Sequence, residues 1–264
     1  MNGRPLKYFR MQTDDQGITV VTFDRPPVNA VSFDVYPELR QMAETIEATD
    51  ETRVVVLTAP PGARAWCGGA DVRDFLPLDA KSRLDRYAMI NECLPKFYNL
   101  NRPVIGAINS HAVGVGLVLA AFCDLRVVSR EAFFAHPEID RGVIAGGGSF
   151  LTRLNVPAAK VREMIYTGRR FTAEELQENS GFFNYIVPKD QVMPKAMELA
   201  AVIARKSLAA LKVNKLCNNA SETMSWTEAY KLAQTESAKL TITKDAKEGI
   251  RAFLEKRKPA YKDQ

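Results

Sequence analysis

The stretch Pro103–Asp124, PVIGAINSHAVGVGLVLAAFCD, constrains the chain more than any other. Val104–Ile108 is an apolar run of strand length, and Asn109–Ser110–His111 turn the chain. Val113–Gly114–Val115–Gly116 then leads into Leu117–Cys123, which is apolar on every side. A helix with no polar face must be enclosed by protein all round. The stretch therefore predicts a strand, a glycine-rich turn and a helix driven into the core. The first amides of such a helix have no internal partner and lie at the positive end of its macrodipole. Glycines at 114 and 116 leave those amides open to a phosphate, a carboxylate or a developing oxyanion.

Three readings of this turn compete. A dinucleotide fingerprint, G-x-G-x-x-G, needs a third glycine where Leu119 stands. A hydrolase elbow, G-x-S-x-G, needs glycines two residues either side of Ser110, and those places hold Ile108 and Ala112. The third reading is a tight packing turn between strand and helix.

At 264 residues with 46% apolar and 25% charged side chains, the chain can bury one large core, or one and a half. Cys67, Cys93, Cys123 and Cys217 are scattered, with no C-x-x-C pair, which predicts reduced thiols in a cytoplasmic setting. An organellar matrix stays open. The basic N-terminus lacks the apolar segment of a signal peptide, and no apolar run approaches the ~18 residues of a membrane helix. The net charge of +5 is concentrated at the end, where residues 195–264 carry 14 Lys+Arg against 8 Asp+Glu. That surplus fits a solvated helical face or a polyanionic ligand. Trp226, Tyr230, Phe253 and Tyr261 are not spaced for base stacking, so nucleic acid is not favoured.

Along the chain, Tyr8–Thr13 and Ile18–Asp24 flank a turn and predict a hairpin. Arg25–Ala30 is a proline-stiffened loop. Ser32 is placed to cap a helix whose apolar face is Val35, Leu39, Met42 and Ile46. Val54–Thr58 reads as a buried strand. Leu84, Tyr87, Met89–Ile90, Cys93–Leu94 and Phe97 form a helical stripe. Leu125–Val128 and Ala132–Ala135 are strand-like, and Phe150–Leu154 and Ala158–Tyr166 helical. Thr172 with Glu175 predicts a capping box, with Gly181 ending that helix. Asn184–Val187 is a last strand. Helical periodicity runs from Lys189 onward, with Asp245 and Glu248 as a further capping pair. The expected architecture is α/β, with a core over 1–194 and a helical region over 195–264.

Two glycine-containing loops each leave a short strand: Cys67–Gly68–Gly69–Ala70–Asp71 and Gly114–Val115–Gly116. Backbone amides from two such loops, aimed at one point, make an oxyanion hole without help from any side chain. An acid or base is needed beside them. Glu138 follows the apolar run Phe133–Ala135, and carboxylates in such surroundings are seldom buried without a partner or a task. Capping or salt bridging is the plainer reading of Glu138 taken alone. Cys67 reads as packing, His111 and His136 as structural hydrogen-bonders, and Trp66 and Phe75 as pocket wall. The two histidines lack metal-ligand spacing, and no metal is expected.

In order, Cys67–Val72, Ala112–Gly116, Cys123–Leu125 and Pro137–Ile139 resemble the motifs of the enoyl-CoA hydratase/isomerase (crotonase) family. Arg25–Ala30 resembles its R-P-x-x-N-A loop, and Gly249–Pro259 its tail. The resemblance covers essentially the whole chain. It implies a spiral of ββα turns closed by a helical region that forms trimers, often paired into hexamers, with an acyl-CoA thioester as ligand and no cofactor beyond that CoA. It implies that the amides of Ala70 and Val115 hold the thioester oxygen and that Glu138 is catalytic. Gly68, Ala70, Asp71, Val72 and Arg73 would line the CoA, with Lys256 and Arg257 near its adenine and phosphates. Hydratases of the family usually carry a second glutamate, and its place is Val118. One carboxylate suffices to move a proton between two carbons, which favours double-bond isomerisation. Hydration stays open if Glu92, Asp74 or Asp140 supplies the missing acid. The same resemblance also leaves room for a thioester binder without turnover and for an RNA-binding relative.

Overall fold

The computed structural model describes residues 5–262. The fold opens with a hairpin, β1 (Phe9–Thr13) pairing antiparallel with β2 (Ile18–Phe23), followed by α1 (Val35–Glu47). Three steps of one plan come next. β3 (Val54–Thr58) and β4 (Ala65–Cys67) lead to α2 (Ala80–Tyr98). β5 (Val104–Ile108) and β6 (His111–Val113) lead to α3 (Val115–Phe122). β7 (Leu125–Ser129) and β8 (Phe133–Ala135) lead, through two 3-10 segments, to α4 (Ala158–Thr167). β9 (Phe171–Thr172), α5 (Ala173–Gln177) and β10 (Tyr185–Val187) follow. The chain then continues helical, through α6 (Val192–Ala204), α7 (Leu208–Ser221), α8 (Trp226–Leu240) and α9 (Lys244–Leu254).

Each step gives its first strand to one sheet and its second to another. The larger sheet runs β1-β2-β3-β5-β7-β10 and the smaller β4-β6-β8-β9. An isolated parallel bridge from Val31 to Ala70 continues the smaller sheet past β4. This is the expected spiral of ββα turns.

Strands covered on both faces lose the polar alternation of a one-sided sheet. β3 and β5 are buried at every position. Val55 and Leu57 face one core with α1 and α3, whereas Val54, Val56, Ile105 and Ala107 face another. The second core is closed by α6 through Val192, Ala196, Ala200 and Ala204, a stripe of mostly small residues at helical spacing. The boundary expected at 194/195 thus falls inside a helix that packs on the sheet. α3 is enclosed as expected, with Gly116 through Ala121 all buried.

Several local expectations are corrected. Ser32 does not cap α1: its hydroxyl donates to Asp34, which is the N-cap residue and makes no side-chain cap bond. α5 ends at Gln177, four residues before Gly181. Its capping box of Thr172 and Glu175 is present. α9 is capped by Thr243, because Asp245 and Glu248 are taken by the tail: Asp245 accepts from Lys262 N at 2.9 Å and Glu248 from Ala260 N at 2.9 Å. Residues 148–154 are 3-10 rather than α-helical. On α2 the expected stripe is partly inverted, since Leu84 is 68% exposed while Arg86 is 4% exposed.

Candidate active site

The spiral explains why distant residues meet. β4, β6 and β8 lie side by side and parallel. Ala70, Val115 and Glu138 each follow the end of one of these strands by two or three residues. The loops after β4 and β6 touch: a methyl group built on Gly69 would stand 2.9 Å from the Val113 carbonyl oxygen and 3.8 Å from Gly114 Cα. One built on Gly114 would stand 2.8 Å from Glu138 Oε1. Both glycines have positive φ, +95° and +56°, a region costly for any residue with a Cβ. The sequence thus keeps side chains away from the point where the three strand ends converge.

The loop after β4 is held from behind by the segment 25–31. Val28 O accepts from Gly68 N at 2.8 Å, and Asn29 Nδ2 donates to Ala65 O at 3.1 Å. Val31 bonds the Gly69 carbonyl and the Asp71 amide on either side of Ala70. In such a parallel bridge the N–H of Ala70 points away from Val31. Val115 is the first residue of α3, whose opening amides have no intrahelical acceptor. Asp71 caps the next 3-10 turn and accepts from Arg25 Nη2 at 3.0 Å and Arg73 Nη2 at 2.6 Å. The Arg73 hydrogen bond, seconded by Arg25, holds the Asp71 carboxyl well below the usual carboxylate range, against its burial.

These elements enclose a cavity of about 480 Å³, within the range of small-molecule sites. Of the residues expected at the site, Gly68, Ala70, Val72, Val115 and Glu138 line it. Asp71 and Arg73 do not: Asp71 is turned into its two arginines, and the Arg73 side chain is 77% exposed at the outer side of the loop. Lys256 and Arg257 are also away from it. Arg257 pairs with Glu248 and Glu255, both at 2.6 Å, and the tail folds onto α9 and beside Gln16 and Arg53, near the start of β2 and β3. Trp66, expected in the wall, lies in the core, while Phe75 does line the cavity.

Among the described residues, Glu138 is the one carboxylate that lines the cavity. Its side chain is 24% exposed, Oε1 stands 3.5 Å from His136 Nδ1, and Oε2 is buried with no protein partner. Val118 also lines the cavity and packs against Gly147. None of the three candidates for a second acid reaches it. Glu92 pairs with Arg40 at 3.3 Å, Asp74 accepts from Phe33 N at 2.8 Å, and Asp140 packs against Gly168. Burial pushes the Cys67 thiol up to about 12, which removes it as a nucleophile at neutral pH. His111 stacks on Phe133 with ring centroids 3.8 Å apart and accepts from Phe133 N, a structural role.

The wall also holds Tyr36, Arg83, Arg86 and Arg141, which sequence reasoning did not assign to the site. An arginine in an amphipathic helix carries no local sign that it points inward.

A layered α/β spiral with paired glycine loops and a facing carboxylate defines a crotonase-type enzyme fold. Comparisons with known proteins agree. The family model for enoyl-CoA hydratase/isomerase matches residues 13–264, and the chain belongs to that family. The protein YngF of Bacillus subtilis is 35% identical over 251 residues, 94% of this chain and 95% of the relative. Carnitinyl-CoA dehydratase of Proteus mirabilis is 34% identical, covering 92% of this chain and 94% of the relative. The crystal structure of an enoyl-CoA hydratase from Mycobacterium smegmatis superposes with a TM-score of 0.90 at 28% identity, covering 98% of this chain and 99% of that one. The chain is thus an enzyme of the enoyl-CoA hydratase/isomerase type.

Proposed function

We propose that this enzyme shifts a double bond in an unsaturated acyl-CoA thioester, with Glu138 as its single acid–base group. The observation that carries this reading is Glu138 standing alone as carboxylate in the cavity wall, with Val118 apolar. In the proposed reaction the thioester oxygen sits on the amides of Ala70 and Val115. The Glu138 carboxylate takes a proton from C2 of a 3-enoyl thioester, and the electron pair moves toward the carbonyl oxygen. The two amides stabilise that enolate without reorganising, and losing one such donor typically costs ~10²–10³ in rate. Protonated Glu138 then returns the proton at C4, leaving the double bond between C2 and C3. No water enters. His136 Nδ1 beside Oε1 orients the carboxylate.

Hydration is the second reading, favoured by the names that relatives carry, an enoyl-CoA hydratase among them. It requires a second group to hold and split a water, and the cavity wall offers no further carboxylate among the described residues. Incubation with trans-2-, trans-3- and cis-3-enoyl-CoA in heavy-oxygen water separates the two. A migrated double bond without label is the expected product. Label in a new hydroxyl, with no migration, would overturn the isomerase reading.

We also propose a homotrimer, or a hexamer built from two. Trp226, Ile250, Phe253 and Leu254 on α8 and α9 are 76%, 63%, 83% and 73% exposed, more apolar surface than a lone chain usually leaves open.

A further inference from the structure

We infer that this cavity selects acyl-CoA thioesters whose acyl group bears a second, distal carboxylate, and that Arg86 is the residue that reads it; the inference rests on the acyl-thioester reading above. Arg86 stands on α2, lines the cavity and is 4% exposed. Among the described residues it forms no ion pair, and its Nε and Nη1 are buried without an acceptor. A guanidinium cannot shed its proton to escape burial, as a lysine or carboxyl can. A charge enclosed this way is strongly unfavourable until something pairs with it.

Part of that penalty is offset by aromatic rings. The guanidinium carbon lies 4.3 Å from the Phe75 ring centroid and 4.6 Å from that of Phe33. Neither ring offers a carboxylate or carbonyl acceptor, so Nε and Nη1 remain donors without a partner. Those are the donors that grip a carboxylate in a planar, bidentate pair. The guanidinium donates a hydrogen bond to the Tyr36 phenol, whose pKa burial raises, so that partner is neutral and leaves the charge unpaired. Arg83, one turn earlier on α2, also lines the cavity and has no carboxylate partner among the described residues. It stacks on Phe75 at 4.7 Å and donates to Tyr87 Oη at 3.1 Å. Two cations on neighbouring positions of one helix face repel. Together they set two guanidinium groups, neither with a carboxylate partner among the described residues, on one wall of the cavity.

The anion could come from the acyl group or from the phosphates of CoA. The phosphates are multiply charged and heavily hydrated, and exposed cations such as Arg73 suit them. A lone carboxylate is more readily stripped of water, and it fits a buried guanidinium packed against two phenylalanine rings. Burial therefore favours the acyl carboxylate.

Isothermal titration of the full-length enzyme with paired saturated thioesters tests this. Glutaryl-CoA against valeryl-CoA, and adipyl-CoA against hexanoyl-CoA, differ only in a terminal carboxylate or methyl group and contain no double bond to move. The wild type is expected to bind the carboxylated member of at least one pair about tenfold or more tightly. Arg86→Met should abolish that preference, read as the ratio of affinities within each pair, and Arg86→Lys should retain part of it. Equal binding within both pairs by the wild type overturns the inference and needs no variant; the acyl-thioester reading then survives. A preference that persists in Arg86→Met also overturns it. So does lost affinity for free CoA in that variant, which would place Arg86 on a CoA phosphate. Binding of no thioester at all overturns both readings together.

Discussion

Asp71 shows how tightly single residues fix the first glycine loop. Its carboxylate is gripped by Arg25 and Arg73, and its acidity is strengthened mainly by the Arg73 bond. A carboxyl whose folded pKa lies below the ordinary value of about 3.9 stabilises the fold fully at pH well above that value. The contribution fades as pH falls through and below it, because the unfolded chain then takes up protons first. Asp71→Asn should cost about 1–3 kcal/mol near neutral pH, the usual loss for hydrogen bonds to charged groups. In urea unfolding, the gap between wild type and variant should narrow toward about pH 3. A gap independent of pH would mean that the two arginines do not act through charge.

At the scale of elements, α6 seals the second face of the larger sheet with Val192, Ala196, Ala200 and Ala204. Ala200 is fully buried there, so Ala200→Leu overpacks the contact and should destabilise by about 1–3 kcal/mol. The candidate active-site cavity lies elsewhere, and KM should be unchanged; a raised KM would link the two faces. Elements of this kind were the most legible in the sequence. β3 and β5 coincide with their apolar runs because a strand buried on both faces has nothing else to be made of. α3 was legible for the same reason. The caps were less so: the Ser32 hydroxyl is taken by its neighbour Asp34, and Asp245 and Glu248 by amides of the tail, which no local pattern announces. The glycines and Glu138 were legible through ordered motifs. Arg86 was not, because its burial depends on Phe33 and Phe75, one before and one after α1, β3 and β4 in sequence but joined only by the fold.

In the whole molecule, α7 is tied to the α/β body by polar contacts along its length, from Lys212 Nζ on Asp50 at 2.8 Å to Asn219 Nδ2 on Tyr98 O at 3.0 Å. Between them, Lys215 Nζ stands 2.8 Å from Asp124 and 3.0 Å from Arg102 O. Trp226, Ile250, Phe253 and Leu254 are exposed on α8 and α9, and the proposed trimer would cover them. Sedimentation should give three or six times the 29.4 kDa of one chain, and Phe253→Glu should lower it. A monomeric wild type at micromolar concentration would contradict that assembly. No described helix is long and apolar enough to cross a membrane.

The central claim is that one carboxylate, at position 138, moves the proton between carbons of a thioester held on two amides. Conversion of trans-3-enoyl-CoA to the 2-enoyl thioester by Glu138→Gln tests it most directly, with thioester affinity measured on the same preparation. The expected result is a fall in kcat of about 10²–10⁴-fold, the usual worth of a positioned acid–base group, with binding retained. Full turnover by the Glu138→Gln enzyme would place the base elsewhere and contradict the account.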